Sequence, residues 1–460
     1  MRRIAKRSVF LWVLIAAFFA GLIFLSVSLV TNAGDWVMKS SNRHIYTSGQ
    51  LIGAGEIHDV NGKVLAQTVD GKRVYNDDST VRKATLHAVG DPQRFIATGI
   101  QSVCDTDLTG YNFINGVYNI KKYGKGNNLT MTLDADVCAT AYKQLNGRKG
   151  TIGVYNYKTG EILCMVSTPS YDVNSIPTDI ETNPKYEGAY VNRLISGRYA
   201  PGSTFKTIVS ISAIDNISDI YDRTWECKGS YTASDGGKII CNATHGKIDF
   251  KTALAQSCNS AFAQIAIELG AQKLTKTVEQ LGLTTPITID GMTVGKGTFT
   301  VSDDVPSELG WAGIGQSTTM LAPIQMMKAM GAVANNGQCV DMTLIKEIKS
   351  PSGLPVSLSF MTKAKTQTIV NPDTAAKLKD MMRNDVLTVY GENNYKGLNL
   401  CAKSGTAQIN GKTSTAWFTG FLDSEENPYA FVVVIEEGGA GSKVAGPVAG
   451  KVLQSIVNKQ

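Results

Sequence analysis

Between Val9 and Val30 the chain runs 22 residues without a charged side chain or a proline. A helix of that length, apolar on every face, matches the roughly 30 Å hydrocarbon core of a bilayer. Arg2, Arg3, Lys6 and Arg7 precede the run, and the first acid is Asp35. This asymmetry predicts a membrane anchor whose N-terminus stays cytoplasmic, leaving about 430 residues outside the cytoplasm. The alternative is a signal peptide cleaved near Thr31-Asn32-Ala33, although the apolar part of such peptides usually spans about 7–15 residues. No second segment is long and apolar enough to span. The same four cations supply most of the formal charge of +6. The rest of the chain is close to balance, which implies no nucleic-acid partner.

Three units follow from the patterning: residues 1–30 as tail and anchor, 31–147 as a small module, and 148–460 as a larger α/β unit. In the small module, Gly55–Ala66 alternates around Asn61-Gly62 and predicts a hairpin with a type I′ turn. Tyr111–Asn128 is rich in Gly and Asn and reads as loop or linker. In the larger unit, strands are expected at 152–157 and 161–166, joined at Lys158-Thr159-Gly160. Further strands are expected at Leu398–Lys403, Thr415–Leu422 and Tyr429–Ile435. Helices are expected over Phe262–Leu269, Ile324–Ala334 and Gly446–Val457. Strands at both ends with helices between them predict one antiparallel sheet closed by the two ends of the unit, with a helical insertion. The unbroken apolar run Phe431–Ile435 predicts a sheet covered on both faces.

The chain has four histidines, and His44, His58 and His87 fall in the small module without metal spacing. A mechanism that needs a histidine base is therefore poorly served, and lysine is the better candidate. In Tyr199-Ala200-Pro201-Gly202-Ser203-Thr204-Phe205-Lys206 a Pro-Gly pair precedes residues at helical spacing, so Ser203 is placed in the first turn of a helix with Lys206 one turn on. A serine hydroxyl needs a base to become a nucleophile, and an amine at that spacing can reach it. Ser257-Cys258-Asn259 precedes another helical run. Lys403-Ser404-Gly405-Thr406 ends a strand, where lysine and hydroxyls can hold a carboxylate and a glycine permits close approach. Each triplet is weak alone, since a serine and a solvated lysine near a helix start are common. Lys158-Thr159-Gly160 matches the third pattern too, but it precedes the serine and sits at a turn, so it is read as structural.

The order S-x-x-K, S-x-N, K-[ST]-G, with the second on a helical insertion, resembles the penicillin-binding proteins of the penicilloyl serine transferase superfamily. Gly160-Glu161-Ile162-Leu163, Gly313-Ile314-Gly315-Gln316 and Ala334-Asn335-Asn336-Gly337 are similar to further blocks of that family. About 117 residues between anchor and larger unit are too few for a glycosyltransferase domain, so the resemblance is to class B members with a short pedestal. It implies a β-lactamase/transpeptidase-like α/β (α+β) fold. It also implies a peptidoglycan D,D-transpeptidase acting on D-Ala-D-Ala stem peptides without a cofactor and acylated by β-lactams. Ser203 would be the nucleophile, Lys206 the base and Ser257 the proton relay. Asn259, Lys403, Ser404, Gly405 and Thr406 would bind substrate, and a SEDS-type membrane glycosyltransferase would be the partner. A serine β-lactamase or sensor shares the motifs, but no E-x-x-L-N stands between Ser203 and Lys403. A non-catalytic cell-wall scaffold is the other alternative.

Eight cysteines are many for an exported chain. Five are scattered among apolar neighbours and read as small core residues. Cys227, Cys241 and Cys258 group with His245, the one histidine of the larger unit, and three thiols with an imidazole suit tetrahedral zinc. A Cys227–Cys241 disulfide or free thiols are the alternatives. Some elongation-type relatives resemble this chain in carrying zinc beside the second motif.

Overall fold

The computed structural model describes residues 2–39, 46–47, 50–51, 53–111, 126–356, 365–409 and 412–459. His44 and most of the stretch expected to be loop-rich, 112–125, lie outside the described residues. Helix α1 (Arg2–Val37) outruns the apolar segment at both ends. Its stretch Arg7–Gly34 is long and apolar enough to cross a membrane, and Phe10, Trp12, Phe18 and Phe24 lie exposed along it. At its foot Met38 is buried in the core of the small module.

That module is built on β1 (Ile57–His58), β2 (Val64–Val69), β3 (Lys72–Tyr75), α2 (Ser79–Val89), β4 (Asn128–Met131) and α3 (Ala135–Leu145). The expected hairpin is present, with β1 and β2 antiparallel. Its turn differs from the expected type. Gly62 has φ of +83° while Asn61 is not among the positive-φ residues; the chain turns through Asp59–Gly62, and the hairpin bulges just beyond, where Ile57 and His58 face Ala66 and Val64. Asp59 explains the difference: its Oδ1 accepts from Asn61 N and Lys63 N and holds the turn in a form that needs one left-handed residue. The module is also not contiguous in sequence. A strand from far downstream, β7 (Ile345–Lys349), pairs with β4 and closes a sheet of order β7-β4-β1-β2-β3.

The larger unit is centred on a five-stranded sheet. Its strands are β5 (Gly150–Asn156), β6 (Ile162–Thr168), β8 (Leu400–Ile409), β9 (Lys412–Leu422) and β10 (Tyr429–Ile435), in the order β8-β9-β10-β5-β6, antiparallel throughout. The early strand β5 pairs with the late strand β10, Val433 opposite Ile152, so the two ends of the unit close the sheet as expected. Phe431 to Ile435 are all buried, because helices cover both faces. The helices that position the site are α4 (Lys206–Asn216), α5 (Phe250–Ala255), α6 (Asn259–Gln280), α7 (Pro323–Ala334), α8 (Pro372–Asp385) and α9 (Gly441–Val457). Helix α9 starts five residues before the expected Gly446, with Pro447 inside it. Strand β8 continues through Lys403 to Ile409, and as an edge strand it leaves one row of backbone groups facing a cleft.

Candidate active site

The serine turn is shaped by its neighbours. Gly202 has φ of +54°, and a Cβ there would fall 2.9 Å from the carbonyl oxygen of Thr406. Gly202 N donates to Gly315 O at 2.9 Å, which anchors the turn to one of the family-like blocks. Residues Gly202–Phe205 form a 3-10 turn, and α4 begins at Lys206. Ser203 therefore precedes the α-helix and does not lie within it. The tighter turn eclipses residues i and i+3, and this sets Lys206 Nζ 3.0 Å from Ser203 Oγ.

Lys206 is fully buried and its Nζ has four oxygen neighbours. They are Ser257 O at 2.7 Å, Asn259 Oδ1 at 2.7 Å, Ser203 Oγ at 3.0 Å and Ser257 Oγ at 3.1 Å. The orientation of the Asn259 amide is fixed, because its Nδ2 donates to Ile240 O at 2.9 Å. Two of the four neighbours are thus obligate acceptors. A neutral amine has two N–H groups for them and a lone pair left over, which faces the hydroxyls. Burial, and then the positive charge of Lys403, hold Lys206 well below the ordinary lysine range, which favours that neutral form.

The second motif sits at the junction of α5 and α6. Ser257 takes a left-handed backbone conformation, φ +55°, which a serine adopts at a cost of about 1–3 kcal/mol. Cys258 is the N-cap of α6, and its Sγ accepts from Ala261 N. The third motif lies on β8. A Cβ on Gly405 would fall 2.7 Å from Pro201 O and 2.9 Å from Thr204 Cγ2. The glycine thus serves the close approach of the serine turn, where the sequence suggested room for a ligand. Lys403 is fully buried and is not among the residues lining the cleft; its Nζ donates to Ser404 O at 3.2 Å. Ser404 and Thr406 line the cleft itself, and Thr406 Oγ1 accepts from Gly441 N at 3.2 Å, which ties β8 to the start of α9.

Ser203, Ser257, Asn259, Ser404 and Thr406 converge on one cleft of about 460 Å³, with Ile240, Trp311, Gln316, Tyr390 and Ser442 among its walls. Lys158-Thr159-Gly160 is absent from that lining. It forms a hairpin tip where Asn156 Oδ1 accepts from the Lys158 and Thr159 amides and Lys158 pairs with Glu425. Sequence reasoning missed Tyr390. Its hydroxyl donates to Ser404 Oγ at 3.0 Å and accepts from Ser404 N at 2.8 Å. It ends a short π-helical turn, Val386–Tyr390, that no local pattern announces.

Beside the second motif, the ligand atoms of Cys227, Cys241, His245 and Cys258 lie within 4.8 Å of one another. Cys241 Sγ is 3.6 Å from His245 Nδ1 and 3.8 Å from Cys258 Sγ, and no disulfide joins these cysteines. The contact with Cys258 holds the Cys241 thiol below its ordinary range. Cys241 Sγ also accepts from Asn259 N at 3.2 Å, so the cluster is bonded directly to the second motif.

Residues 150–454 match the penicillin-binding protein transpeptidase domain. The peptidoglycan D,D-transpeptidase PbpA of Mycolicibacterium smegmatis is 26% identical over 435 residues, covering 84% of this chain and 86% of that protein. The peptidoglycan D,D-transpeptidase MrdA of Salmonella typhimurium is 24% identical over 73% of this chain and 60% of its own length. Among solved structures, a ceftriaxone acyl-enzyme complex of penicillin-binding protein A from Mycobacterium tuberculosis superposes with a TM-score of 0.78. It is 24% identical and covers 87% of this chain and 98% of its own. A D,D-transpeptidase domain from Eggerthella lenta gives 0.76 at 25% identity, over 88% and 98% of the two chains. With a family match over most of its length and the serine–lysine geometry in one cleft, the chain belongs to the penicillin-binding protein transpeptidase family, as a class B member.

Proposed function

We propose that this chain is a membrane-anchored peptidoglycan D,D-transpeptidase that works through an acyl-enzyme on Ser203. The observation that carries the reading is the environment of Lys206, whose amine is buried, held neutral and pointed at Ser203 Oγ. In the first half-reaction the Ser203 hydroxyl adds to the carbonyl of the penultimate D-Ala, and its proton passes to Lys206. Backbone amides of Ser203 and of Thr406, on the edge strand β8, take up the negative charge on the carbonyl oxygen. Ser257, within 3.1 Å of Lys206 Nζ, passes the proton to the leaving amine of the terminal D-Ala. In the second half-reaction an amine of a neighbouring stem peptide attacks the ester, its proton returns along the same path, and the cross-link forms. Ser404 and Thr406 bind the terminal carboxylate from the cleft wall, and Lys403 acts on it electrostatically. Asn259 contributes its remaining amide hydrogen to the peptide backbone. A β-lactam enters the same steps and leaves Ser203 acylated.

The cluster of Cys227, Cys241, His245 and Cys258 is read as a structural zinc site. Its donors are those of structural zinc, and their separations suit bonds of about 2.3 Å to sulfur and about 2.0–2.1 Å to nitrogen. A zinc ion held there supplies a cross-link between the loop of the second motif and the ribbon before it, and no chemistry on the substrate. Helix α1, the one helix among the described residues long and apolar enough to span, has cations before it, which supports a single-pass topology with the catalytic unit outside the cytoplasm. We read the chain as organised in 1–30, 31–147 and 148–460, with β7 lent back to the small module. A SEDS-type glycosyltransferase is the membrane partner this reading expects, and co-purification from the membrane tests it. The central test is mass spectrometry of the full chain after penicillin treatment. An adduct on the peptide carrying Ser203, slow to decay and lost in Ser203→Ala, is the expected result. Uptake of penicillin by Ser203→Ala removes the mechanism, and fast turnover points to a β-lactamase.

A further inference from the structure

Asp385, the last residue of α8, is fully buried, and neither of its carboxyl oxygens has a hydrogen-bond partner. A carboxylate left this way is costly unless an opposite charge is close. Lys403 has the complementary deficit. It too is fully buried, and its one recorded bond runs to the carbonyl of the next residue.

The two are brought together by staples on either side. Arg383 Nη1 donates to Leu400 O at 3.1 Å, and the Tyr390 hydroxyl bonds Ser404. Asp385 lies in the chain between Arg383 and Tyr390, and Lys403 lies between Leu400 and Ser404. Helix α8 also packs directly on β8. The cations whose fields reach Asp385 are Lys403 and Lys251.

We propose that Asp385 is a positioning residue for acyl transfer, a buried carboxyl whose proton decides how much of the Lys403 charge is left for the substrate's terminal carboxylate. This rests on the reading of Lys403 as the cation that attracts that carboxylate. Burial pushes Asp385 up to about 8, against the pull of Lys403 and then Lys251. Below that value the carboxyl is neutral and the Lys403 charge is undiminished. Above it the new anion offsets the charge, and capture of a carboxylate weakens as pH rises.

The other charged groups around Asp385 are already engaged. Lys251 on α5 pairs with Asp380, Arg383 with Glu392, and Lys379 with Asp423. On β8 the Cys401 thiol, near enough to feel Asp385, is pushed up to about 12 by burial and stays neutral. From α4, Asp215 accepts from Thr374, and Lys206 is the neutral base. Lys328, the one titratable residue of α7, sits beside Cys339.

The test compares acylation of the full chain by a fluorescent penicillin, from about pH 6 to about pH 10, in wild type and Asp385→Asn. The ratio of variant to wild-type rate should climb about fivefold across that range, because one buried charge is lost from the neighbourhood of Lys403. A penicillin methyl ester, which has no carboxylate, should show a flat ratio. Parallel profiles for the free acid overturn the proposal, as does an equal climb with the ester. Should the Asn variant not fold, Asp385→Ser provides the same comparison. Should neither fold, a wild-type rate that does not decline above about pH 8 overturns it. The absence of any penicillin adduct on wild-type Ser203 is a different failure and sinks the enzymatic reading itself.

Discussion

At the scale of single residues, the proposed chemistry depends on keeping one lysine neutral. Lys206 is held below its ordinary value by burial and by Lys403, so its amine is free at a pH where an exposed lysine is charged. Lys206→Met should lower the acylation rate by about 10²–10⁴-fold, the usual contribution of a positioned base, with the fold retained in circular dichroism. In the wild-type enzyme, acylation should fall on the acid side as Lys206 takes up a proton. The same depressed value means that the unfolded chain binds a proton there which the folded chain does not, so this group costs stability as pH falls below 10.5. Tyr390 is a smaller contributor. Tyr390→Phe removes its bonds to Ser404, and acylation should slow by about fivefold, near the 1 kcal/mol of one hydrogen bond. An unchanged rate would show that Ser404 holds its place without help. The contrast with Lys206 is instructive. Ser203 and Lys206 were legible because their relation is local, three residues apart on one turn. Tyr390 and Asp385 reach the site through α8 and the π-helical turn, across a packing that no spacing in the sequence records.

At the scale of elements, the site is an assembly of three backbones in contact, and its glycines are where they touch. Gly405→Ala places a methyl group against Pro201 O and Thr204 Cγ2, both within 3 Å, one of them backbone. The serine turn must then move off β8. The expected result is loss of penicillin acylation by at least about 10²-fold, since displacement of about 1 Å has that effect, with a smaller fall in melting temperature. Wild-type acylation in this variant would mean that the contact is soft. The loop of the second motif is braced from its other side by the cysteine cluster. One zinc per chain by elemental analysis is the expected stoichiometry. A strong chelator, or Cys227→Ser, should lower the melting temperature and slow acylation together. A metal-free preparation with full stability and rate would leave the cluster as plain thiols. The elements themselves were partly legible. Alternation and apolar runs marked β5, β6, β9 and β10 to within a few residues. The expected helix starts at Gly446, yet α9 begins at Gly441, because Gly446 fits closely against Tyr395 and Phe418, Pro447 faces outward, and Ala445, Val448, Ala449 and Val452 pack inward. β7 could not be assigned to the small module, since pairing across some 215 residues leaves no trace in either segment.

At the scale of the whole molecule, the small module and the catalytic unit are joined through α2. Arg82 grips Asp172 with two bonds of 2.6 Å, and Ser170 Oγ donates to Lys83 O. Between them His87 is fully buried, with Nε2 2.9 Å from Ala189 O and Nδ1 without a partner. Because the carbonyl can accept and not donate, Nε2 carries the hydrogen and Nδ1 is bare. Protonation would add a second N–H with nowhere to point. Burial accordingly pushes His87 down to about 4. The unfolded chain takes a proton near 6.5, so stability is lost as pH falls from there to about 4, by about 3 kcal/mol from this group. Arg193 adds to the effect, since it turns a second cation towards the imidazole while pairing with Glu436 beside the serine turn. His87→Gln can still donate to Ala189 O but cannot be protonated. Melting temperatures of the two chains should therefore converge on acidification, the wild type falling faster between about pH 6.5 and about pH 4. Limited proteolysis should show the junction between the modules opening first in the wild type. Equal pH dependence in both chains would sink the assignment, because a histidine that does not titrate differently on folding cannot couple acid to the joint that carries the catalytic unit on its pedestal.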